Sequence, residues 1–385
     1  MKGSKKKNKN NKIISKLNKK RKRTKKISNK NSKNKSNNIN KENDVKKNKL
    51  KVFHPINISY FDTIIIDCFP KYNTYNTFIV FNSVDNVTTL IYRTKENSII
   101  SYDIVNNKQL IEIKKAHDEE IINFRNFFDS INKRDIIISL STKDDTIKLW
   151  NPATWECISN ISGIYRSGIL TSACIFSENN QNYILTSTNS KSNLIKIIDF
   201  TGKKIKFIND SKNKTYFIDY YYDNNLSKPF VITGNDFFIK SFDYNKNEKY
   251  HTYYDKEHDN FEHKRIIIYN SDKITKIIES TLIDGIKIWD FHSGKLLQKI
   301  FEPLGTGGKN DICLWNNDYL FVGVGEKMKL VEIKKEKVIK ELIGHKGPLT
   351  TIKKIVHPKY GECLLSYGLY DTKIFLWTIK ASYLI

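Results

Sequence analysis

Along residues 344–377, GHKGPLTTIKKIVHPKYGECLLSYGLYDTKIFLW, apolar and polar positions alternate in short runs separated by turn residues. Leu349, Ile352 and Ile355 mark one run, Cys363-Leu364-Leu365-Ser366 a second and Lys373-Ile374-Phe375-Leu376-Trp377 a third. His357-Pro358-Lys359-Tyr360-Gly361 forms a turn between the first two. A period of two argues strand, because successive side chains of a strand point to opposite faces. The unit recurs. Its end can be followed as Ser101-Tyr102-Asp103, Leu149-Trp150-Asn151, Ile197-Ile198-Asp199, Ser241-Phe242-Asp243, Ile288-Trp289-Asp290, Leu330-Val331-Glu332 and Leu376-Trp377. Counted on residues 102, 150, 198, 242, 289, 331 and 377, the steps are 48, 48, 44, 47, 42 and 46 residues. Seven ends at one step predict seven repeated β units, whereas the chance register of a generic β-sandwich would not keep the period.

The 344–377 stretch resembles a repeat of the WD40 family, in which about 40–45 residues run from Gly-His to Trp-Asp. Gly344-His345 opens it and Asp371 stands six residues ahead of Trp377. Asp144-Asp145-Thr146-Ile147-Lys148-Leu149-Trp150 is close to that family's Asp-Gly-Thr-Ile-Lys-Leu-Trp pattern, and Asp284-Gly285-Ile286-Lys287-Ile288-Trp289-Asp290 follows it with one residue deleted. Ala116-His117 takes the Gly-His slot ahead of the second unit, and Asp236 again precedes Phe242 by six. Blades three to six have lost most of the signature.

The resemblance implies an all-β fold, a seven-bladed β-propeller over residues 52–385. Blade one is expected at 77–113, three at about 169–208, four at 216–254, six at 311–339 and seven from 349. Only eight residues follow Trp377, so the last blade lacks an outermost strand; in the family this strand commonly comes from the N-terminal side, here from part of Ile56 to Cys68. The resemblance also implies a hydrogen-bonded network that ties each blade together. Its members are His345, Asp371 and Trp377 with Ser366, and His117, Asp144 and Trp150 with Ser139 or Thr142; Asp236, Asp284 and Trp289 fill the matching slots. Buried indole and imidazole N–H groups need partners, and a carboxylate in a tight turn supplies one. A hydrolytic Ser-His-Asp reading is disfavoured, because the trio repeats at the blade period and Gly-x-Ser-x-Gly is missing.

Charge divides the chain. Residues 1–50 carry 21 Lys and Arg against Glu42 and Asp44, so +19 of the net +25 lies there. Residues 1–51, almost wholly Lys, Asn, Ser and Arg, hold no periodic apolar face and are expected to stay disordered. Lys19-Lys20-Arg21-Lys22-Arg23-Thr24-Lys25-Lys26 is the densest basic run. It reads either as a nuclear-import signal or polyanion contact, or as a solvated tail reflecting the Lys/Asn bias of the whole chain. Five scattered cysteines without a Cys-x-x-Cys pair read as core residues in a reducing compartment. No signal peptide and no run of about 18 apolar residues is present, so no transmembrane segment is expected.

Three other stretches carry residue types that suggest chemistry. Gly305-Thr306-Gly307-Gly308-Lys309-Asn310 lacks the upstream Gly and the Ser/Thr of a phosphate-binding loop. His251, Asp255, Glu257, His258, Asp259, Glu262 and His263 cluster without a helical frame or a cysteine, which favours a solvated loop over a metal site. Tyr216-Phe217, Tyr220-Tyr221-Tyr222 and Tyr253-Tyr254 suit either protein contact or base stacking. The expectation is therefore a non-enzymatic scaffold, monomeric within a larger complex, binding other proteins through its loop faces, with no cofactor, metal or catalytic residue. The alternative is a nuclear or nucleolar factor of ribosome assembly or chromatin whose residues 1–51 bind nucleic acid weakly and without sequence preference. Either is intracellular, and the basic run favours nucleus over cytoplasm.

Overall fold

The computed structural model describes residues 51–52, 55, 58–65, 78–82, 88–141, 143–165, 169–189, 194–210, 214–235, 237–255, 263–271, 274–281, 285–300, 311–379 and 382–383. Residues 1–50 of the expected disordered tail, with the basic run Lys19–Lys26, lie outside them, whereas Lys51, its last residue, is in a strand. Residues 51–385 make one compact unit in which the described elements are strands, gathered into seven antiparallel four-stranded sheets. The protein is an all-β, seven-bladed β-propeller.

From the innermost strand outward, blade 1 comprises Phe78–Asn82, Thr88–Arg93, Ile99–Asp103 and Lys108–Ile113. Blades 2 to 6 repeat this simple meander and start at Ile121, Leu170, Phe217, His263 and Ile312. The outer strand of blade 6 runs to Ile343, past the sequence estimate of 339, because alternation fades on an outer strand whose faces are largely wet. Blade 7 takes Leu349–His357, Gly361–Gly368 and Lys373–Ile379 from its own stretch and Ile58–Ile65 as its fourth strand. That strand pairs antiparallel with Lys373–Ile379, from Ile58 opposite Ile379 to Ile65 opposite Lys373. It falls inside the expected Ile56–Cys68 window. Lys51–Val52 also pairs with Ser382–Tyr383, so the two ends of the unit meet twice.

Period-two alternation places the core. Seven apolar clusters lie between blades, one for each neighbouring pair. In blade 2, Ile137 packs toward blade 1 with Phe81, Ile91 and Phe124, while Ile136 and Ile138 pack toward blade 3 with Leu170 and Ile184. In blade 7, Leu364 faces blade 6 with Phe321 and Leu330, while Cys363 and Leu365 face blade 1 with Phe78, Leu90 and Tyr92. The 7–1 cluster closes the circle.

The recurring Asp has a local cause. Asp103 Oδ1 accepts from the backbone N–H groups of Val105 and Asn106, and Asp243 and Asp290 repeat this with Asn245 and Lys246 and with His292 and Ser293. Each carboxylate closes the turn into the outer strand by satisfying two turn amides. The turn ends in a left-handed residue, Asn107, Asn247 or Gly294, and a register shift follows opposite the residue before the Asp. Asn106-Asn107 makes the turn of blade 1.

Deleting residues 58–65 should leave Lys373–Ile379 as an open edge and convert a monomer into aggregates, read by light scattering after size exclusion. Deleting residues 1–45 should leave the monomer and its cooperative melting intact.

Candidate functional site

In blade 7 the strands bring four predicted residues together. Trp377 Nε1 donates to Ser366 Oγ at 2.7 Å, Ser366 Oγ lies 2.7 Å from His345 Nε2, and His345 Nδ1 lies 2.5 Å from Asp371 Oδ2. The other carboxylate oxygen accepts from the Lys346 N–H at 2.9 Å. With Trp377 donating to Ser366, the protons run one way: the Ser hydroxyl donates to Nε2, and Nδ1–H donates to the carboxylate. The loops come so close that a Cβ on Gly368 would stand 2.5 Å from Asp371 Oδ2 and 2.6 Å from the Gly347 carbonyl.

Blade 2 builds a longer chain. Trp150 Nε1 donates to Ser139 Oγ at 2.8 Å, and His117 Nε2 is 2.7 Å from the same oxygen. His117 Nδ1 then meets Thr146 Oγ1 at 2.8 Å, and Thr146 donates to Asp144 Oδ1 at 2.7 Å, while the imidazole and Asp144 stay 3.9 Å apart. Thr142 lies outside the described residues. Burial, reinforced by Lys148 and only partly opposed by Asp144, lowers the His117 pKa to about 4.

In blade 5, Trp289 Nε1 donates to Glu279 Oε1 at 2.8 Å. Glu279 holds the register position of Ser139 and Ser366, two residues past the partner of the Trp. Asp284 and Asp236 lie outside the described residues, as does the 305–310 loop. Of the acidic and histidine cluster, His251 bonds the His292 carbonyl and Asp255 meets Lys287 at 3.0 Å and Lys299 at 3.2 Å. Among the described residues no group of His, Cys, Asp and Glu is arranged to hold a metal.

The order Ser366, His345, Asp371 is that of a hydrolytic triad, but its surroundings oppose that chemistry. Ser366 is fully buried, its Oγ accepts from the Trp377 indole N–H, and the Phe375 ring lies tilted against His345 at 4.3 Å. A nucleophile so enclosed meets no substrate carbonyl.

A column of lysines was overlooked in the sequence. Lys148, Lys196, Lys240, Lys287 and Lys329 each stand two residues before the Trp slot. In blades 2 to 5 they reach the segment leading into their own blade: Lys148 donates to the Ala116 carbonyl at 2.7 Å, Lys196 to that of Ile164, Lys240 pairs with Asp210 and Lys287 with Asp255. They fasten the lead-in beside His117 in blade 2 and in the absence of such a His network in blades 3 and 4, and the same 42-to-48-residue step would have revealed them.

Alternation sends Tyr220 to the cluster between blades 3 and 4 and Tyr221 to the one between blades 4 and 5, and Tyr222 is exposed because it lies at the strand end. Tyr220 stacks on Phe176 at 4.3 Å and Tyr253 is buried against Trp289, whereas Tyr222 and Tyr254 are exposed. Of the exposed large apolar side chains among the described residues, six stand at turns between first and second strands, Phe128 and Ile131 in blade 2, Tyr222 and Leu226 in blade 4, Ile274 in blade 5 and Val356 in blade 7; the others include Ile205, Phe207 and Ile343 on outer strands and Phe237 and Tyr370 at the opposite turns. The turns between first and second strands share one end of the ring.

No protein-family model matches this chain, and no curated protein matches it either. The seven-bladed ring is compatible with the WD40 type.

Asp371→Ala should leave the buried His345 Nδ1–H without its acceptor and cost about 1–3 kcal/mol in urea unfolding. Asp144→Ala should cost less, because Thr146 still accepts from His117. For His117 the folded pKa lies below the unfolded value near 6.5, so the unfolded chain takes up the proton first as pH falls. Stability should therefore decline by up to about 1.4 kcal/mol per pH unit between pH 6.5 and 4 from this group. His117→Gln should flatten that part of the profile relative to wild type.

Proposed function

We propose that this chain is a WD40-like, non-enzymatic scaffold that holds protein partners on the end of the ring bearing Phe128, Ile131, Tyr222, Leu226, Ile274 and Val356. The observation that carries this reading is the contrast between two residue sets. His345, Asp371, Trp377, His117, Asp144, Trp150 and Trp289 are spent on one another or on neighbouring buried groups, which supports a structural role for them. The apolar side chains at the turns have no such employment, and exposed apolar groups with aromatic members are what protein interfaces bury. Phase and length of the repeat support the WD40 assignment, with the domain spanning 52–385 and the tail 1–51.

The charge of residues 1–50 favours a second reading, in which the basic tail adds nucleic-acid contact and nuclear import through Lys19, Lys20, Arg21, Lys22, Arg23, Lys25 and Lys26. With the ring carrying only +6, polyanion affinity belongs to the tail. For single-stranded RNA, log K should fall with log salt at about −0.7 per phosphate neutralised.

Two variants separate the readings. Phe128→Asp with Tyr222→Asp should strip co-purifying proteins from the tagged full-length chain while its far-ultraviolet spectrum is unchanged. Neutralising Lys19 to Lys26 with Gln should weaken RNA binding, since it removes seven of the 21 tail Lys and Arg, and abolish nuclear accumulation but keep those proteins. Loss of every protein partner with the tail variant, and none with the turn variant, would reverse the assignment.

A further inference from the structure

The outermost strand of a blade is paired on one side only. In blade 3 that strand is Lys204–Asn209, joined to Leu194–Ile198 and to no other described strand. Along its free edge every second residue turns its N–H and C=O away from the blade, a half-ladder that an added strand can complete. The register skips Ile205, so the regular edge is Lys206–Asn209 with Ile205 beside its start. On the blade 4 side the strand is filled, because Ile208 is buried between blades 3 and 4 and Lys206 donates to the Tyr244 carbonyl. Phe207, opposite Lys196, stays 44% exposed and Ile205 48% exposed. Lys204 Nζ lies over the Phe207 ring, 5.3 Å from its centroid.

Charge sets this edge apart. Residues 199–214 carry five lysines, Lys203, Lys204, Lys206, Lys212 and Lys214, against two aspartates. Both aspartates are engaged: Asp199 accepts from the N–H groups of Thr201 and Lys203 in the turn, and Asp210 pairs with Lys240. The other outer strands with described side chains differ. Those of blades 1, 4 and 6 include a glutamate, that of blade 2 has no charged residue, and the one lysine in that of blade 5, Lys299, pairs with Asp255. Among them, Lys204–Asn209 alone joins two exposed large apolar side chains to an unbalanced positive charge. Lysines along an edge repel the same strand of a second copy, so self-pairing is disfavoured and a strand of opposite charge is admitted.

We infer that Lys204–Asn209 is a docking edge for an extended, acidic segment of a partner protein, which adds to blade 3 as a fifth strand. Its backbone completes the half-ladder, its carboxylates lie against Lys203 and Lys204, and its apolar side chains cover Ile205 and Phe207. A polypeptide fits better than single-stranded nucleic acid, whose phosphates would use the lysines and leave the backbone ladder unpaired. The edge uses none of the turns between first and second strands, so this inference and the scaffold surface proposed above fail separately.

The probe is a fluorescein-labelled synthetic peptide alternating Asp or Glu with Val or Ile, read by anisotropy against the full-length chain at physiological ionic strength. It should bind saturably and slow amide hydrogen exchange in residues 204–209, but not in the outer strands of blades 1, 2, 4, 5 and 6. N-methylation of the peptide backbone, or Lys in place of its acids, should weaken binding by roughly tenfold or more. Ile205→Glu with Phe207→Glu should do the same while the far-ultraviolet spectrum is unchanged. Lys203→Glu with Lys204→Glu keeps both apolar side chains and should weaken binding in a salt-dependent way, which preserves the test if the first variant does not fold. Replacing Lys19 to Lys26 with Gln, or Phe128→Asp with Tyr222→Asp, should leave the protection of 204–209 as it is. Protection of 204–209 by a single-stranded oligonucleotide in place of the peptide would give the edge to nucleic acid and overturn the proposal. So would absence of saturable binding, equal binding by both edge variants, or protection that disappears with the tail lysines.

Discussion

A four-stranded blade has two apolar faces and no third layer to cover them, so its stability is borrowed from its neighbours. Every blade here divides its inward-pointing residues between two clusters, as Ile137 and Ile138 do on adjacent positions of one strand. With about 25 cal/mol gained per Å² of apolar surface removed from water, an open end of the ring would forfeit a whole cluster. The circle has to close, and Ile58–Ile65 closes it by hydrogen bonding while the 7–1 cluster closes it by packing.

Within that constraint the polar residues answer to the indole. Where Trp fills the slot, a buried N–H must be satisfied, and Ser366, Ser139 or Glu279 stands at the matching register to accept it. Where Ile198, Phe242 or Val331 fills the slot there is nothing to satisfy, and the His–Asp relay is not required. In blades 3 and 4 the loss is thus coupled rather than decay at independent positions, and Lys196 and Lys240 fasten the lead-in segments there.

How much of this was legible follows from which interactions are local. The seven repeats, the Asp turns and the closing strand were readable, because period-two alternation, a turn carboxylate and a missing outer strand leave their marks within a few residues. Thr146 as a relay between His117 and Asp144 was not, since it depends on side-chain placement across 29 residues of chain. Glu279 escaped for a similar reason: a glutamate in an apolar strand looks solvent-bound until the strand register sets Trp289 beside it. The Arg125–Asp219 and Arg265–Asp311 pairs were invisible because their members come from different blades, and no spacing along the chain predicts that they meet.

The closing strand also fixes the order of events as the chain is made. Lys340 donates to the carbonyl of Ile58, 282 residues away, and the strand's main partner lies further along still. At ~5–20 residues per second, Ile58–Ile65 waits on the order of 15–60 s for the segment it must join. Blades 1 to 6 can form by local hairpins in that interval, whereas the last seam is a long-range contact with a large loop-closure cost. Through that wait the strand leaves the ribosome early and stays unpaired, a period in which a chaperone or a neighbouring nascent chain competes with blade 7 for the same edge.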